Sequence, residues 1–270
     1  MRVVAVLLGV LTLAGCGGSE DNGSTTVVAA FYPLAWAAER IGDDAVVVNL
    51  TPPGAEPHDV ELSPRDVQEI RDADLVLYVG AGFQPAVEDA VADRNGPSLD
   101  VSGGDRDPHI WLDPVRLARV VTQIARTLGR AEPGAELAAA LRRLDEDYRR
   151  GLERCERRTL VTTHSAFGHL TARYGLTHLS LAGRSPEAEP GPRELERLIE
   201  EVRDSGATTV FAEPLVSDRL ARTVAREAGV KVGVLDPIEG LSEERLSAGE
   251  DYLSVMRDNL AALREVLGCT

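Results

Sequence analysis

The chain has 270 residues, enough for one large domain or two of ordinary size, and 43% of them are hydrophobic. That fraction supports a buried core and argues against a disordered chain. The formal net charge is −15, with 44 acidic residues against 29 basic ones, and an acidic surface repels nucleic acid while it attracts cations. Nucleic acid is therefore excluded as a partner.

The first residues have the pattern of a targeting segment. Arg2 supplies a positive start, and residues 3–13 form an apolar run that is too short to span a bilayer as a mature helix. The run ends in Leu13-Ala14-Gly15-Cys16, which resembles the lipobox of bacterial lipoproteins. The resemblance implies a signal peptide at residues 1–15 and a lipidated tether at residues 16–24. The protein is then anchored through a lipid on Cys16 to the outer side of the bacterial cell membrane. The alternative is an ordinary signal peptide that contains a cysteine.

Two further cysteines, Cys155 and Cys269, remain after Cys16. Outside the cytoplasm, each has only the other as a partner within the chain, which favours a disulfide. Two unpaired buried thiols are the alternative.

The first half of the chain alternates between strand and helix patterns. Strands are predicted at residues 27–31, 45–50, 75–79 and 98–101. Each of the intervening helices carries a start signal: Pro33, Ser63 with Pro64, and Pro85 open three of them, and Asp113-Pro114 opens a fourth that closes near Gly129.

A stretch rich in Ala, Leu, Glu and Arg follows at residues 136–154 and predicts one continuous helix. Beyond it the alternation restarts, with strands predicted at residues 159–163, 176–181, 208–212 and 230–235 and a last helix at residues 248–267. We therefore predict an α/β fold of two lobes, each with a mostly parallel four-stranded sheet, joined by a long rigid linker helix. The N-terminal lobe is assigned to residues 25–132, the linker to residues 133–154 and the C-terminal lobe to residues 155–270.

Candidate metal ligands follow strands of both lobes. His58 and His164 come after the second and fifth strands, His109 lies before a capped helix, and Asp236 directly follows the last strand. The carboxyl ends of parallel strands face the ligand crevice, so two facing lobes can bring these side chains to one point. Three imidazoles and one carboxylate suit a closed tetrahedral zinc shell. A histidine in a loop is by itself more often hydrogen-bonded than a ligand, so the positions alone decide little.

Longer segments around these residues resemble the zinc/manganese-specific solute-binding proteins of ABC importers, the group of ZnuA and TroA types. The matching segments are Phe31-Tyr32-Pro33-Leu34, Pro53-Gly54-Ala55-Glu56-Pro57-His58-Asp59, His109-Ile110-Trp111-Leu112-Asp113-Pro114, Thr163-His164-Ser165-Ala166-Phe167, Val210-Phe211-Ala212-Glu213-Pro214 and Leu235-Asp236-Pro237. They cover nearly the whole chain after the tether, in order. The resemblance implies two α/β lobes bridged by a rigid helix.

Carried over position by position, the resemblance implies His58, His109, His164 and Asp236 as the metal ligands. Manganese-type members carry a glutamate where this chain has His164, which favours Zn²⁺ as the transported ion over Mn²⁺. Zinc-type members often have a long His-rich loop before the second histidine. This chain has only the short segment of residues 102–107 there, which weakens the preference for zinc. The implied partner is an ABC transporter permease, and a monomer is the simplest expectation.

Glu213 also ends a strand of the second lobe, and it competes with Asp236 for the role of fourth ligand. We assign Glu213 to hydrogen-bonding a ligand imidazole from behind. A charge at a helix N-terminus is the alternative. His169 and His178 are read as structural.

Other functions fit the sequence less well. A zinc hydrolase needs an open water position, which a fourth protein ligand would close, and no hydrolase motif is present, so the protein is not read as an enzyme. A siderophore- or cobalamin-binding protein needs a broad aromatic cleft, and aromatic residues are only 4% of the chain. An additional role as a surface adhesin is left open.

Overall fold

The computed structural model describes residues 24–183 and 190–270. The predicted signal peptide, the predicted lipid attachment at Cys16 and all of the tether except Ser24 lie outside these residues. Within the described part, no helix combines the length and the apolar character needed to cross a bilayer.

The first half folds around a parallel four-stranded sheet in the order β2-β1-β3-β4. Its strands are β1 (Thr26–Ala29), β2 (Val46–Asn49), β3 (Leu75–Tyr78) and β4 (Ser98–Asp100). Its helices are α1 (Tyr32–Ile41), α2 (Pro64–Asp72), α3 (Pro85–Ala92) and α4 (Pro114–Thr127), with a one-turn 3₁₀ helix at Ile110–Leu112. The start signals of the sequence act as predicted. Ser63 and Asp66 form a capping box at α2, and Asp113 accepts hydrogen bonds from the first backbone N–H groups of α4.

The second half repeats the arrangement, with a parallel sheet in the order β6-β5-β7-β8. Its strands are β5 (Thr159–Thr162), β6 (Thr177–Ser180), β7 (Thr209–Ala212) and β8 (Lys231–Val234). Its helices are α6 (Gly168–Tyr174), α7 (Pro192–Asp204), α8 (Arg219–Ala228), α9 (Glu243–Ser247) and α10 (Tyr252–Leu267). The predicted fold class, two α/β lobes with parallel four-stranded sheets, is confirmed.

The long helix between the lobes, α5, runs over Ala131–Leu152. It begins and ends earlier than the sequence predicts. Pro133 lies in its first turn, where a missing N–H removes no helical hydrogen bond, so the helix continues through this proline. α5 packs on α4 and contacts α1, α6 and α10, and it therefore touches elements of both lobes.

Three buried hydrogen bonds tie distant parts of the chain together. The indole Nε1 of Trp111 donates to the carbonyl of Pro237 (2.7 Å), and the hydroxyl of Tyr252 donates to the carbonyl of Trp111 (2.5 Å). The hydroxyl of Tyr148 donates to the carbonyl of Met256 (2.6 Å). The loop that contains His109 is thus fixed against the C-terminal lobe.

The structure joins Cys155 and Cys269 in a disulfide across 114 positions of sequence. Cys155 follows the end of α5, and Cys269 follows the end of α10. The bond lies at the end of the C-terminal lobe where β5 begins, which we call the base of this lobe. It is the pairing favoured by the sequence.

Candidate metal centre

His58 lies at the end of a turn that leaves β2 and reaches the other lobe. The turn is held by Gly54, whose φ of +78° is easy only for glycine and whose N–H donates to the carbonyl of Leu241 (3.0 Å). The backbone N–H of His58 donates to a carboxylate oxygen of Glu56 (3.0 Å). The His58 side chain is only 8% exposed, and its ring lies 4.5 Å from that of Phe83 between centroids.

His109 is fully buried in the loop that leads into the 3₁₀ turn. Its Nδ1 lies 2.7 Å from Oδ1 of Asp107, and Asp107 Oδ1 also accepts the backbone N–H of His109 (3.2 Å). A carboxylate accepts the Nδ1 proton, which leaves the Nε2 lone pair free to bind a metal.

His164 lies two residues after the end of β5 and is also fully buried. Its Nδ1 lies 2.6 Å from Oε2 of Glu213, which follows β7. The other oxygen of Glu213 accepts the hydroxyl of Thr163 and the backbone N–H of His164 (3.3 Å). Glu213 therefore contacts the imidazole from behind and fixes the backbone that carries it.

Glu239 brings the three histidines together. Its Oε1 lies 3.4 Å from Nε2 of His58, 3.3 Å from Nε2 of His109 and 3.4 Å from Nε2 of His164. The four ligand atoms all lie within 4.8 Å of one another. A tetrahedron with metal bonds of about 2.0–2.1 Å has edges of about 3.3–3.4 Å, and the three nitrogen–oxygen distances match this length.

These four atoms are buried, and none has a hydrogen bond of normal geometry within the protein. An unpaired buried polar atom costs free energy, so four of them pointing at one spot need an external partner. A divalent cation satisfies all four at once. Among the described residues, this is the group whose ligand atoms lie close enough together to hold a metal ion.

The assignment of Asp236 as fourth ligand does not agree with this geometry. Its Oδ1 accepts the backbone N–H of Ile238 (2.7 Å), and its Oδ2 lies 2.5 Å from Nη1 of Arg245. A guanidinium already neutralises this carboxylate, and Asp236 does not belong to the group of four. The group of closely spaced ligand atoms instead contains Glu239, three residues later in the same loop.

The close packing of these charges shifts their pKa values. Burial alone would lower the pKa of His164, but Glu213 and Glu239 raise it to about 10. Burial likewise opposes the charge on His109, yet Asp107 and Glu239 raise its pKa. Burial would raise the pKa of Glu239, but the three imidazoles hold it well below its usual range. Without metal, the imidazole of His164 therefore retains its proton at neutral pH.

The remaining two histidines support the centre from outside. Nε2 of His169 lies 3.0 Å from the carbonyl of Asp107 and connects α6 to the loop of His109. Nε2 of His178 lies 2.8 Å from the hydroxyl of Thr162, which donates to the carbonyl of His164 (2.6 Å). Burial lowers the pKa of His178 to about 4, so this ring is neutral.

The sequence profile of the family described as "Zinc-uptake complex component A periplasmic" matches residues 27–266. The zinc-binding protein AdcA of Streptococcus pyogenes serotype M1 is 33% identical over 288 residues, covering 90% of this chain and 56% of that protein. The chain thus spans little more than half the length of this relative.

Solved structures share the fold. The ZnuA-like domain of Streptococcus pneumoniae AdcA, with Zn(II) bound, is 35% identical with a TM-score of 0.77, covering 91% of this chain and 99% of that chain. The laminin-binding protein Lmb of Streptococcus agalactiae, described as having adhesin and metal-transporting activity, is 31% identical with a TM-score of 0.82, covering 91% of this chain and 100% of that chain.

Proposed function

Because this chain belongs to the family of periplasmic zinc-uptake complex component A proteins, we propose that it captures one Zn²⁺ ion and delivers it to the permease of an ABC importer. The ion is cargo, bound by His58, His109, His164 and Glu239. Each lobe contributes two ligands, so binding also joins the lobes.

One observation carries the proposal. A single carboxylate oxygen, Oε1 of Glu239, lies 3.3–3.4 Å from the Nε2 atoms of three buried histidines, at the edge length of a zinc tetrahedron. Four protein ligands leave no open position for a water nucleophile, which argues for binding and transport and against hydrolysis.

The donor set favours zinc over manganese. Imidazole suits Zn²⁺, whereas Mn²⁺ prefers oxygen ligands in six-coordinate shells. The ring of Phe83 packs against His58, and the ring of Trp111 lies 5.2 Å from that of His109 between centroids. Both rings are buried and leave little room for added water ligands beside these histidines.

Chelator-competition titration of the purified protein with Zn²⁺ and with Mn²⁺ tests this function. We expect one tightly bound zinc per chain, a clear preference over manganese, and strongly reduced affinity in Glu239→Gln. Asp218→Asn, on the exposed N-cap of α8, is the matched control and should bind zinc as the wild type does. Preferential manganese binding, or equal zinc affinity in Glu239→Gln and wild type, contradicts the proposal.

We further propose that the protein works as a monomer on the outer side of the membrane, held by a lipid on Cys16. One chain supplies all four ligands, so no second copy is needed to complete the centre. The lipobox-like sequence Leu13-Ala14-Gly15-Cys16 supports the anchor. A Cys16→Ala variant should be released from the membrane fraction, and its retention there contradicts the anchor.

An adhesin role is a second candidate, supported by the similarity to Lmb. Surface-immobilised laminin should retain the purified protein in a dose-dependent way if the role is shared. Equal retention on laminin and on albumin contradicts it.

A further inference from the structure

The loop that carries Glu239 contains a backbone conformation that its sequence disfavours. We refer to residues 236–241, between β8 and α9, as the Glu239 loop. Ile238 has a φ of +56° although it is β-branched, and its side chain is fully buried. Left-handed backbone is unfavourable for such a residue, so surrounding contacts must hold Ile238 in place.

Asp236 supplies the local contact that favours this conformation. Its Oδ1 accepts the N–H of Ile238 at 2.7 Å, which forms an Asx turn across the residue between Asp236 and Ile238. Its backbone is fixed in turn by Asn259 of α10, which accepts the N–H of Asp236 (2.9 Å) and donates to its carbonyl (2.7 Å). Asp236 is itself 5% exposed and therefore has little freedom to move.

Arg245 fixes the other oxygen of the same carboxylate. Its Nη1 lies 2.5 Å from Asp236 Oδ2, and its Nε lies 2.8 Å from Glu250. Arg245 belongs to α9, which begins two residues after the Glu239 loop. The ion pair thus links the first residue of the Glu239 loop to α9, the helix that follows the loop.

We propose that Asp236, with Arg245, is a positioning residue for Glu239. The carboxylate keeps Ile238 in its left-handed conformation, and the neighbouring Glu239 is thereby held with Oε1 at the point where the three imidazoles converge. When this contact is lost, Ile238 relaxes to negative φ and carries Glu239 away from the metal. The inference rests on the proposed zinc site and explains why an aspartate stands three residues before the ligand.

The test is the rate at which bound zinc passes to an excess of chelator, followed by stopped flow. Asp236→Ala should release zinc about 10–100 times faster than wild type, the range typical for loss of a partner that orients a ligand. Arg245→Met should act in the same direction. Asp236→Asn keeps an acceptor for the Ile238 N–H and should fall between Asp236→Ala and wild type. Asp218→Asn, which loses an exposed ion pair with Arg222, should leave the rate unchanged.

Substitution of Ile238 separates positioning from general destabilisation. Glycine and alanine both remove the buried side chain, but only glycine makes the left-handed conformation inexpensive. Asp236→Ala/Ile238→Gly should therefore release zinc about 5–30 times more slowly than Asp236→Ala/Ile238→Ala, the factor that corresponds to the left-handed penalty of a non-glycine residue. With Asp236 present, the glycine and alanine variants should differ little, because the contact already holds the loop.

The cobalt-substituted proteins give a second readout. Wild type should show the intense visible bands of tetrahedral Co²⁺, and Asp236→Ala should show weaker bands, because more than one water enters when Glu239 leaves and the coordination number rises above four. Equal release rates for Asp236→Ala and wild type, or for the two double variants, overturn the inference. If Glu239→Gln releases zinc fast while Asp236→Ala does not, only the positioning role fails. If wild type holds no zinc, the proposed function fails with it.

Discussion

The two lobes have the same strand order but are packed differently. β1 of the N-terminal sheet is part of a large core that also includes α1, α4, α5 and α10 and the inner face of the second lobe. The outer face of the C-terminal sheet packs against α7 and α8 in a separate small core: Val161, Leu181, Leu198, Val202, Val210, Ala212, Ala221, Val224 and Ala225. Its edge strand β8 leaves Val234 63% exposed. The outer face of the second lobe is therefore held by the smaller core, whereas Cys155 and Cys269 pack against the large one.

The two lobes also differ in how they orient their histidines at the metal centre. In the N-terminal lobe, His109 is oriented by Asp107, two residues earlier in the same loop. In the C-terminal lobe, His164 is oriented by Glu213, which lies 49 residues later and directly follows the neighbouring strand β7. The first half of the site is set by a local loop, whereas the second requires the correct pairing of β5 with β7. The lobes contribute equally to the shell but reach that state by different routes.

Removal of one ligand from either lobe should have the largest effect. We expect His109→Ala and His164→Ala each to weaken zinc binding roughly 10²–10³-fold, an even share of the binding free energy typical of a four-ligand zinc site. Competition titration with a zinc-sensitive dye measures both. A strong loss of zinc affinity in only one of the two variants would show that a single lobe holds the ion. The two lobes would then not contribute equally to zinc binding.

Removal of the disulfide should act on stability and not on the site. Cys155→Ser/Cys269→Ser should lower the free energy of unfolding by about 2–4 kcal/mol, because a long loop of the unfolded chain is no longer closed. Urea unfolding of the zinc-free protein measures the change. The zinc affinity of the folded variant should stay within about threefold of wild type, since neither cysteine belongs to the group of metal ligands. A large drop in affinity would show that the base of the C-terminal lobe positions His164.

Substitution of the two carboxylates that orient the histidines, Glu213 and Asp107, should show a smaller difference in zinc affinity between the lobes. Glu213→Gln and Asp107→Asn should each cost about 10–100-fold in zinc affinity. Glu213→Gln should be the more damaging, because Glu213 is 3% exposed and also holds the backbone of His164, whereas Asp107 is 27% exposed and water can replace it. A larger loss for Asp107→Asn would contradict the importance given to the long-range contact.

A further effect concerns the protons that zinc displaces on binding. The pKa of His164 is raised to about 10, so zinc binding at pH 7 must displace at least the proton of His164. Affinity should rise by about tenfold per pH unit for each proton displaced. Calorimetry in buffers of different ionisation enthalpy counts the protons, and a count of zero at pH 7 contradicts the pKa shifts.

The raised pKa of His164 also makes the stability of the zinc-free protein depend on pH. A histidine whose pKa is raised by folding stabilises the folded state fully below its unfolded pKa of about 6.5. The contribution of His164 is lost as pH rises from there to about 10. Zinc-free protein should thus lose stability over this interval, and zinc-loaded protein, whose imidazoles hold no proton at the metal, should lose less.

Local signals allowed most of the fold to be predicted. Proline after a capping residue marked the starts of α2 and α4, and the strand patterns placed four strands in each half. The long helix was found, but its start was not, because Pro133 in a first turn is compatible with a helix that begins earlier. His58 and His164 were identified after strands and His109 before a capped helix, and the structure brings the three together.

The fourth member of the group was missed for a physical reason. Asp236 lies two residues after β8, whereas Glu239 lies five residues after it and follows Ile238, whose backbone is left-handed. A β-branched residue gives no sign of that conformation in the sequence. A Cβ added at Gly240 would lie 3.3 Å from the carbonyl of Ala55, so the loop approaches the His58 turn closely at this glycine. The pair Glu239-Gly240 was therefore the available sequence signal for a carboxylate near His58.

Diffraction from zinc-loaded crystals at the zinc absorption edge tests the central claim most directly. We expect a single anomalous peak, with bonds of about 2.0–2.2 Å to the Nε2 atoms of His58, His109 and His164 and to a carboxylate oxygen of Glu239, while Asp236 stays on Arg245. A peak bonded to Asp236 in place of Glu239, or one bonded to the histidines of a single lobe, would contradict the account.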